Sequence, residues 1–249
     1  MAILPIDSGR YGTKEMLAVF SEQKKIDYQL EIEAATALSQ SEIKLISRNV
    51  ANDIAKNARS GKINSKRIKQ LEAKSDHDTA ALVEALAEKC QKQSRPWIHY
   101  GLTSNDLVDT SNSLQMRDAL KIIQPKVSKL SIILAKNAQK YRNVPAVGRT
   151  HGQHASIISF GLKFANWAAE MSTHLERIDE IKKRILICKT LGVVGTGSLM
   201  GNNAIKVQEK VSKKLSLFPA KVTTQIIPSC LLYTSPSPRD LSTSRMPSS

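Results

Sequence analysis

Residues 156–185 read SIISFGLKFANWAAEMSTHLERIDEIKKRI, and their apolar side chains recur every three or four positions. Charged residues occupy the other faces, which is the pattern of an amphipathic helix. About thirty helical residues at 1.5 Å each give a length of about 45 Å. A helix of this length predicts a long helical bundle. The apolar positions are Phe160, Phe164, Trp167, Met171, Leu175, Ile178, Ile181 and Ile185.

The same spacing extends outward over most of the chain. It predicts short helices on either side of Ser41, which we place as an N-cap, and another capped by Ser65. Pro125 is expected in the first turn of a further helix, where proline is tolerated. No alternating strand pattern is evident before residue 217. The predicted fold class is therefore all-α.

Composition limits the possible functions. The 249 residues include 37 Lys and Arg against 22 Asp and Glu, a net charge of +15. No apolar run reaches the roughly 18 residues of a membrane span, and no secretory leader is visible, so we expect a cytoplasmic protein. The three cysteines form no CxxC pair and are expected to be free thiols. The excess of basic residues fits either a small anionic substrate or binding of a polyanion. The basic residues are, however, interleaved along the chain with acidic residues.

Three histidines lie in polar segments, each before a predicted helix. They are His77, His99 and His151. Helix starts present free N–H groups and a positive dipole end, which suit carboxylate or phosphate. Singly, each histidine has a structural explanation, but together with the hydroxyls of Thr103 and Ser104 they indicate a site for an anionic small molecule. A metal site is not expected, because no carboxylate lies near His151.

The last 21 residues differ from the body of the chain. Residues 229–249 contain seven Ser and three Pro, and the helical pattern stops. We expect a disordered tail, and from Leu231 onward it looks like translated cloning or adapter sequence. The expected organisation is a helical domain over 1–103, an incomplete helical-bundle domain over 104–228, and the tail.

Several separated blocks resemble one enzyme family. Residues 99–110, HYGLTSNDLVDT, and 148–155, GRTHGQHA, are similar in order and spacing to two signature blocks of the fumarase/aspartase superfamily. Arg10-Tyr11 and the first block point to its adenylosuccinate branch. Further matching segments are Asp76-His77-Asp78, Val194-Gly195-Thr196 and residues 223–228.

The resemblance implies an activity, a fold and a set of site residues. It implies an N-terminal helical domain followed by part of a long-helix bundle, and elimination of fumarate from adenylosuccinate and from a succinyl-carboxamide ribotide, without a cofactor, in a homotetramer. His151 matches the general acid. By the same resemblance the substrate-binding residues are Arg10, Tyr11, Asp76, His77, Asp78, Thr103, Ser104 and Gln225.

The sequence departs from the pattern of this family at one point that matters for activity. The resemblance places a flexible loop with a serine base after residue 228, and residues 229–249 do not contain it. We therefore expect an N-terminal fragment that is inactive by itself. The alternatives are another lyase of the superfamily, such as argininosuccinate lyase, or a basic helical protein that binds RNA or another polyanion. No specific nucleic acid and no membrane are expected as partners.

Overall fold

A computed structural model of the chain describes residues 12–227. Arg10 and Tyr11, and the predicted tail over 229–249, lie outside the described residues. Within 12–227 helices dominate, so the predicted all-α class is confirmed, although four short strands are also present. The helices are α1 Lys14–Val19, α2 Glu22–Glu42, α3 Arg48–Ala58, α4 Ser65–Ser75, α5 Asp78–Ala87, α6 Ser104–Lys140, α7 Phe160–Ile185 and α8 Ala204–Leu215; the strands are β1 Pro145–Thr150, β2 Gln153–Ser159, β3 Ile187–Cys188 and β4 Phe218–Pro219.

The described chain divides into two compact units, with the boundary inside α6. One unit comprises the described parts of 1–116 and 184–249, and the other comprises 117–183. We call them the first and second units. Their boundary does not coincide with residue 103, and the division into family-type domains stays a prediction.

Helix α2 forms the centre of the first unit. It packs against α3 and α8, and its Ile32, Ala34 and Ala35 have no exposed surface. Val207 and Val211 of α8 are equally buried. Removing these apolar side chains from water is the main driving force for packing the helices together. Ile54, Leu82, Leu86 and Leu107 also belong to the fully or almost fully buried apolar core.

Two predicted helix starts are wrong by a few residues. Helix α2 runs through Ser41 to Glu42, and α3 begins after Ser47, whose hydroxyl accepts the Val50 N–H at 3.3 Å. Helix α4 is capped by Asn64, one residue before Ser65. Serine and asparagine both make good N-caps, and the residue whose oxygen meets a free N–H is decided by the preceding turn.

The prediction of a helix start at Pro125 is also wrong. Pro125 lies inside α6, which continues without a break from Ser104 to Lys140. Proline lacks an N–H and therefore removes one intrahelical hydrogen bond, but the remaining turns of this 37-residue helix are continuous.

In the second unit, the end of α6 lies against the beginning of α7. A Cβ atom on Gly161 would lie 2.4 Å from the carbonyl oxygen of Ala138, so only glycine permits this approach. Farther along, Gln124 donates to Asp179 at 3.2 Å and accepts from Lys182 at 2.7 Å. The predicted helix over 156–185 is confirmed from Phe160 to Ile185, whereas residues 156–159 belong to strand β2.

An antiparallel hairpin precedes α7, which corrects the expectation of no strand before residue 217. Strands β1 and β2 pair from Pro145↔Ser159 to Thr150↔Gln153, with a bulge between Gly148 and Arg149. The two turn residues, His151 and Gly152, have φ of 51° and 75°. Positive φ at both central residues is the requirement of a type I′ hairpin turn.

No helix among residues 12–227 is long and apolar enough to cross a membrane.

Candidate functional site

Thr103 and Ser104 lie at the first turn of α6. Thr103 precedes the helix, and its N–H donates to Asp106 Oδ2 at 3.0 Å. A side chain at the third helical position that accepts from the cap residue's N–H is one half of a capping box. The backbone of Thr103 is thereby fixed, and the residue is buried, with 8% of its surface exposed.

The carboxylate of Asp106 also has a cationic partner. It forms an ion pair with the ammonium group of Lys189, and neither side chain has exposed surface. Oδ2 accepts a second backbone bond, from Gly192 N–H at 2.9 Å. Burial raises the pKa of Asp106, while Lys189 and the two N–H groups act in the opposite direction. Asp106 therefore joins three separate segments: the start of α6, the residue after β3, and the glycine-rich loop at 192–197.

The backbone around Lys189 is held from both sides. Thr110 Oγ1 donates to the Lys189 carbonyl at 3.0 Å and accepts from its N–H at 3.1 Å. The side chain of Gln208 accepts from Thr190 N–H at 3.2 Å and donates to the Ala220 carbonyl at 2.9 Å. These bonds leave the Lys189 main chain little freedom to move away from Asp106.

The segment that contains Gln225 approaches the same region. A Cβ atom on Gly195 would lie 2.2 Å from the Thr223 carbonyl oxygen, so the 192–197 loop and this segment are in close contact. Two residues beyond Gln225, Ile227 N–H donates to Asp109 Oδ2 at 2.8 Å. The first unit therefore connects three of the sequence blocks: Thr103-Ser104, 194–196 and 223–227.

Asp76, His77 and Asp78 form the corner between α4 and α5. Asp76 ends α4 with φ 51°, and its N–H donates to the Glu72 carbonyl at 2.8 Å. His77 caps α5, because its Nδ1 accepts the Ala80 N–H at 3.3 Å. An accepting Nδ1 places the proton of the neutral ring on Nε2. All three residues are exposed.

The expectation that His151 precedes a helix is wrong. It lies in the β1–β2 turn of the second unit, exposed, with Nδ1 2.7 Å from Thr150 Oγ1. The positive φ of His151 is uncommon for a residue other than glycine, and the tight two-residue turn requires it. Functional sites often include such residues.

His99 is held by a buried carboxylate. Its Nδ1 lies 2.6 Å from Glu33 Oε1, and its N–H donates to Glu33 Oε2 at 2.9 Å. Burial disfavours the imidazolium, but the bond and charge of Glu33 prevail and raise the pKa of His99. His99 has φ 63° and lies in a tight turn, in which the Leu102 N–H donates to the His99 carbonyl at 3.1 Å; α6 begins five residues later. These two bonds to Glu33 are consistent with the structural explanation that each of the three histidines has singly.

Sequence reasoning missed Asp106, Asp109 and Lys189 as site residues. Both aspartates lie within the 99–110 block, at a spacing of three that places them on adjacent turns of a helix. Lys189 is the single charged residue in the segment 186–191, whose other residues are apolar except for Thr190. A lysine is almost never fully buried unless it is paired, and that rule would have indicated an acidic partner without identifying it.

Comparisons with known proteins show which family the chain belongs to. A family model described as Lyase matches residues 9–232. Adenylosuccinate lyase of Methanocaldococcus jannaschii is 42% identical and aligns over 91% of this chain and 49% of its own length; that of Archaeoglobus fulgidus is 39% identical over 92% and 50%. The chain thus spans about half the length of the curated relatives it matches.

A solved structure has the same fold. The crystal structure of fumarate lyase from Mesorhizobium sp. BNC1 superposes with a TM-score of 0.78 at 31% identity, over 84% of this chain and 49% of that one. The predicted resemblance is confirmed at the level of fold and family. With the family model extending over residues 9–232 and relatives aligned along nine-tenths of the chain, the protein belongs to the lyase family.

Proposed function

We propose that this chain is part of a lyase that eliminates fumarate from adenylosuccinate, giving AMP, and from the related succinyl-carboxamide ribotide. The observation that supports the proposal most directly is the 42% identity to a relative named adenylosuccinate lyase, extending over 91% of the chain. The polyanion-binding alternative finds no support in the relatives that match.

The reaction requires two proton transfers and control of developing charge. A base removes a proton from the succinyl carbon next to a carboxylate, the C–N bond breaks, and an acid protonates the departing nitrogen. Negative charge develops on that carboxylate and must be met by fixed donors. The hydroxyls of Thr103 and Ser104, at the positive end of α6, are suited to donate hydrogen bonds to a substrate carboxylate there.

His151 is the proposed general acid. Its exposed position at the tip of the β1–β2 hairpin leaves the ring accessible to a ligand, and histidine is the most common general acid in enzymes. Arg10 and Tyr11 are proposed to hold the phosphate, since a guanidinium group binds phosphate in a bidentate manner. His77, with Asp76 and Asp78 beside it, and Gln225 are proposed to orient the substrate.

Assembly as a homotetramer in the cytoplasm is part of the proposal. Large apolar side chains of the second unit are exposed in the single chain, and their burial between copies would stabilise an assembly. Buried free thiols at Cys90 and Cys188 suit a reducing compartment. The exposed apolar residues on α6 and α7 are Ile123, Leu130, Ile132, Ile133, Leu162 and Trp167.

The proposal is tested on the full-length protein encoded by the gene. Purified protein is mixed with adenylosuccinate, and fumarate release is followed by absorbance. We expect His151→Gln to reduce turnover by about 10²–10⁴, the usual contribution of general acid catalysis, and to leave substrate affinity within about tenfold.

His154→Gln is the matched control. It lies in the same hairpin, paired opposite Arg149, and is also exposed. Near-normal turnover of the His151 variant would disprove its role as the acid. Absence of fumarate release from the unmodified enzyme would disprove the proposed substrate, and binding to RNA that weakens steeply with salt would favour the polyanion alternative.

A further inference from the structure

The first two turns of α6 contain two aspartates whose carboxylates accept hydrogen bonds from backbone N–H groups. Asp106 binds Thr103 and Gly192 N–H groups, as described above. Asp109, one turn later, is directed at a different segment, and its Oδ2 accepts Ile227 N–H at 2.8 Å. The two residues that form this bond are 118 positions apart in the sequence. Capping of α6 accounts for Asp106 but leaves the role of Asp109 unexplained.

Asp109 and Ile227 are both half-buried, so their contact is only partly screened by water. Desolvation raises the pKa of Asp109, while the Ile227 N–H bond and the charge of Lys189 favour the ionised form. A carboxylate in such a place is costly without partners, and a hydrogen bond to a charged acceptor is stronger than a neutral one. The backbone at Ile227 is therefore held by a strong, directional contact.

The other side of the same segment is held by steric contact. Gly195 has φ +76°, and its Cα side faces the carbonyls of Thr223 and Thr224 so closely that a Cβ atom would lie 2.2 Å and 2.8 Å from their oxygens. Gln225 lies between the two fixed points, one residue after Thr224 and two before Ile227. Its side chain is exposed and thus accessible to a ligand.

We propose that Asp109 is a positioning residue that sets the place of Gln225 for the anionic substrate by holding the Ile227 N–H. The inference rests on the proposed function, in which Gln225 contacts the substrate. Asp109 itself contacts no substrate and takes no part in proton transfer. Its loss releases one end of the 223–227 segment and weakens substrate binding through Gln225.

The test uses four variants of the whole polypeptide: Asp109→Leu, Asp109→Asn, Gln225→Ala and the double variant Asp109→Leu/Gln225→Ala. Leucine is similar in size to aspartate but accepts no hydrogen bond, whereas asparagine keeps one acceptor oxygen. Asn112→Leu, one turn farther along α6 and exposed, is the control for changing this helix face. Steady-state kinetics with adenylosuccinate give kcat and KM separately, and thermal unfolding shows which variants are folded.

We expect Asp109→Leu to raise KM about tenfold or more, the loss expected for one charge-assisted hydrogen bond, with kcat within about threefold. Asp109→Asn and Asn112→Leu should keep KM within about threefold. Since Asp109 acts through Gln225, the double variant should be no worse than the weaker-binding single variant. Additive effects in the double variant, or an unchanged KM in Asp109→Leu, overturn the inference.

Amide exchange gives a second measurement that does not depend on activity. Ile227 N–H should be protected in the unmodified protein and in Asp109→Asn, and should exchange at least about tenfold faster in Asp109→Leu. Equal protection in Asp109→Leu overturns the inference even where KM changes. If the unmodified enzyme does not act on adenylosuccinate, the proposed function fails, and the exchange measurement still decides whether Asp109 holds this segment.

Discussion

The ammonium group of Lys189 and the carboxylate of Asp106 form an ion pair without exposed surface, between residues 83 positions apart. The pair connects the start of α6 to the residue that follows β3. Its carboxylate also binds the N–H groups of Thr103 and Gly192, so most of its lone pairs are satisfied. A buried pair that is fully hydrogen-bonded is costly to disrupt, because removing one partner leaves the other charge without compensation.

Lys189→Met should therefore lower the free energy of unfolding by about 3–5 kcal/mol, since it leaves Asp106 buried and unpaired. Urea unfolding followed by circular dichroism measures the change. Lys213→Met is the control: this exposed lysine of α8 should change stability by less than about 0.5 kcal/mol. A loss below about 1 kcal/mol in Lys189→Met would show that the pair contributes little.

Gly195→Ala should destabilise the protein more than Gly61→Ala. Both glycines have positive φ, +76° and +70°, which costs an alanine about 1–2 kcal/mol. At Gly61 no atom lies within 4 Å of an added Cβ, whereas at Gly195 the Thr223 carbonyl oxygen would lie at 2.2 Å. Thermal unfolding of the two variants isolates the steric part, and equal melting temperatures would contradict the close approach of the two segments.

The contribution of Glu42 to stability should depend on pH. Hydrogen bonds from Lys210 at 2.8 Å and Lys214 at 2.5 Å lower the pKa of Glu42 from 4.5 to about 2. A lowered pKa in the folded state means that the stabilisation is fully present above about pH 5 and is lost as the pH falls from 4.5 through 2.

Because 43% of the Glu42 side chain is exposed, solvent screening limits this stabilisation to about 1 kcal/mol or less. The measurement is the difference in unfolding free energy between the unmodified protein and Glu42→Gln, taken from pH 6 to pH 2. The difference should shrink toward zero at the acidic end. A difference that grows as the pH falls would contradict the sign of the pKa shift.

Cys90 and Cys188 should react slowly with thiol reagents in the folded protein. Burial raises the pKa of Cys90 to about 11 and that of Cys188 to about 12, and 4% and 0% of their surfaces are exposed. At pH 8 their thiolate fractions are smaller than that of an ordinary cysteine by about 10²-fold or more. Cys230 lies outside the described residues, so Cys230→Ser leaves only the two buried thiols to follow. Rapid reaction of either thiol without denaturant would contradict this burial.

The sequence predicted the helical features well because their signals are local. The three- and four-residue spacing from Phe160 to Ile185 identified α7. The predicted caps at Ser41 and Ser65 were both misplaced, because Ser47 and Asn64 cap α3 and α4. The hairpin over 145–159 was missed because its strands show no regular alternation of apolar and polar residues, and because its His151-Gly152 turn lacks the Asn-Gly or Asp-Gly pair typical of a two-residue hairpin turn.

The features of the candidate site likewise fall into those that local sequence signals predict and those that depend on tertiary packing. By itself, the sequence determined that the chain is mostly helical, that it resembles a lyase, and that Thr103 and Ser104 are candidate residues for an anion site. Only the tertiary structure decided that Asp106 meets Lys189, that Asp109 holds Ile227, and that Gly195 lies against Thr223. The physical reason is the range of the interactions: helix periodicity and capping act over four residues, whereas a buried charge finds its partner only when packing brings distant segments together.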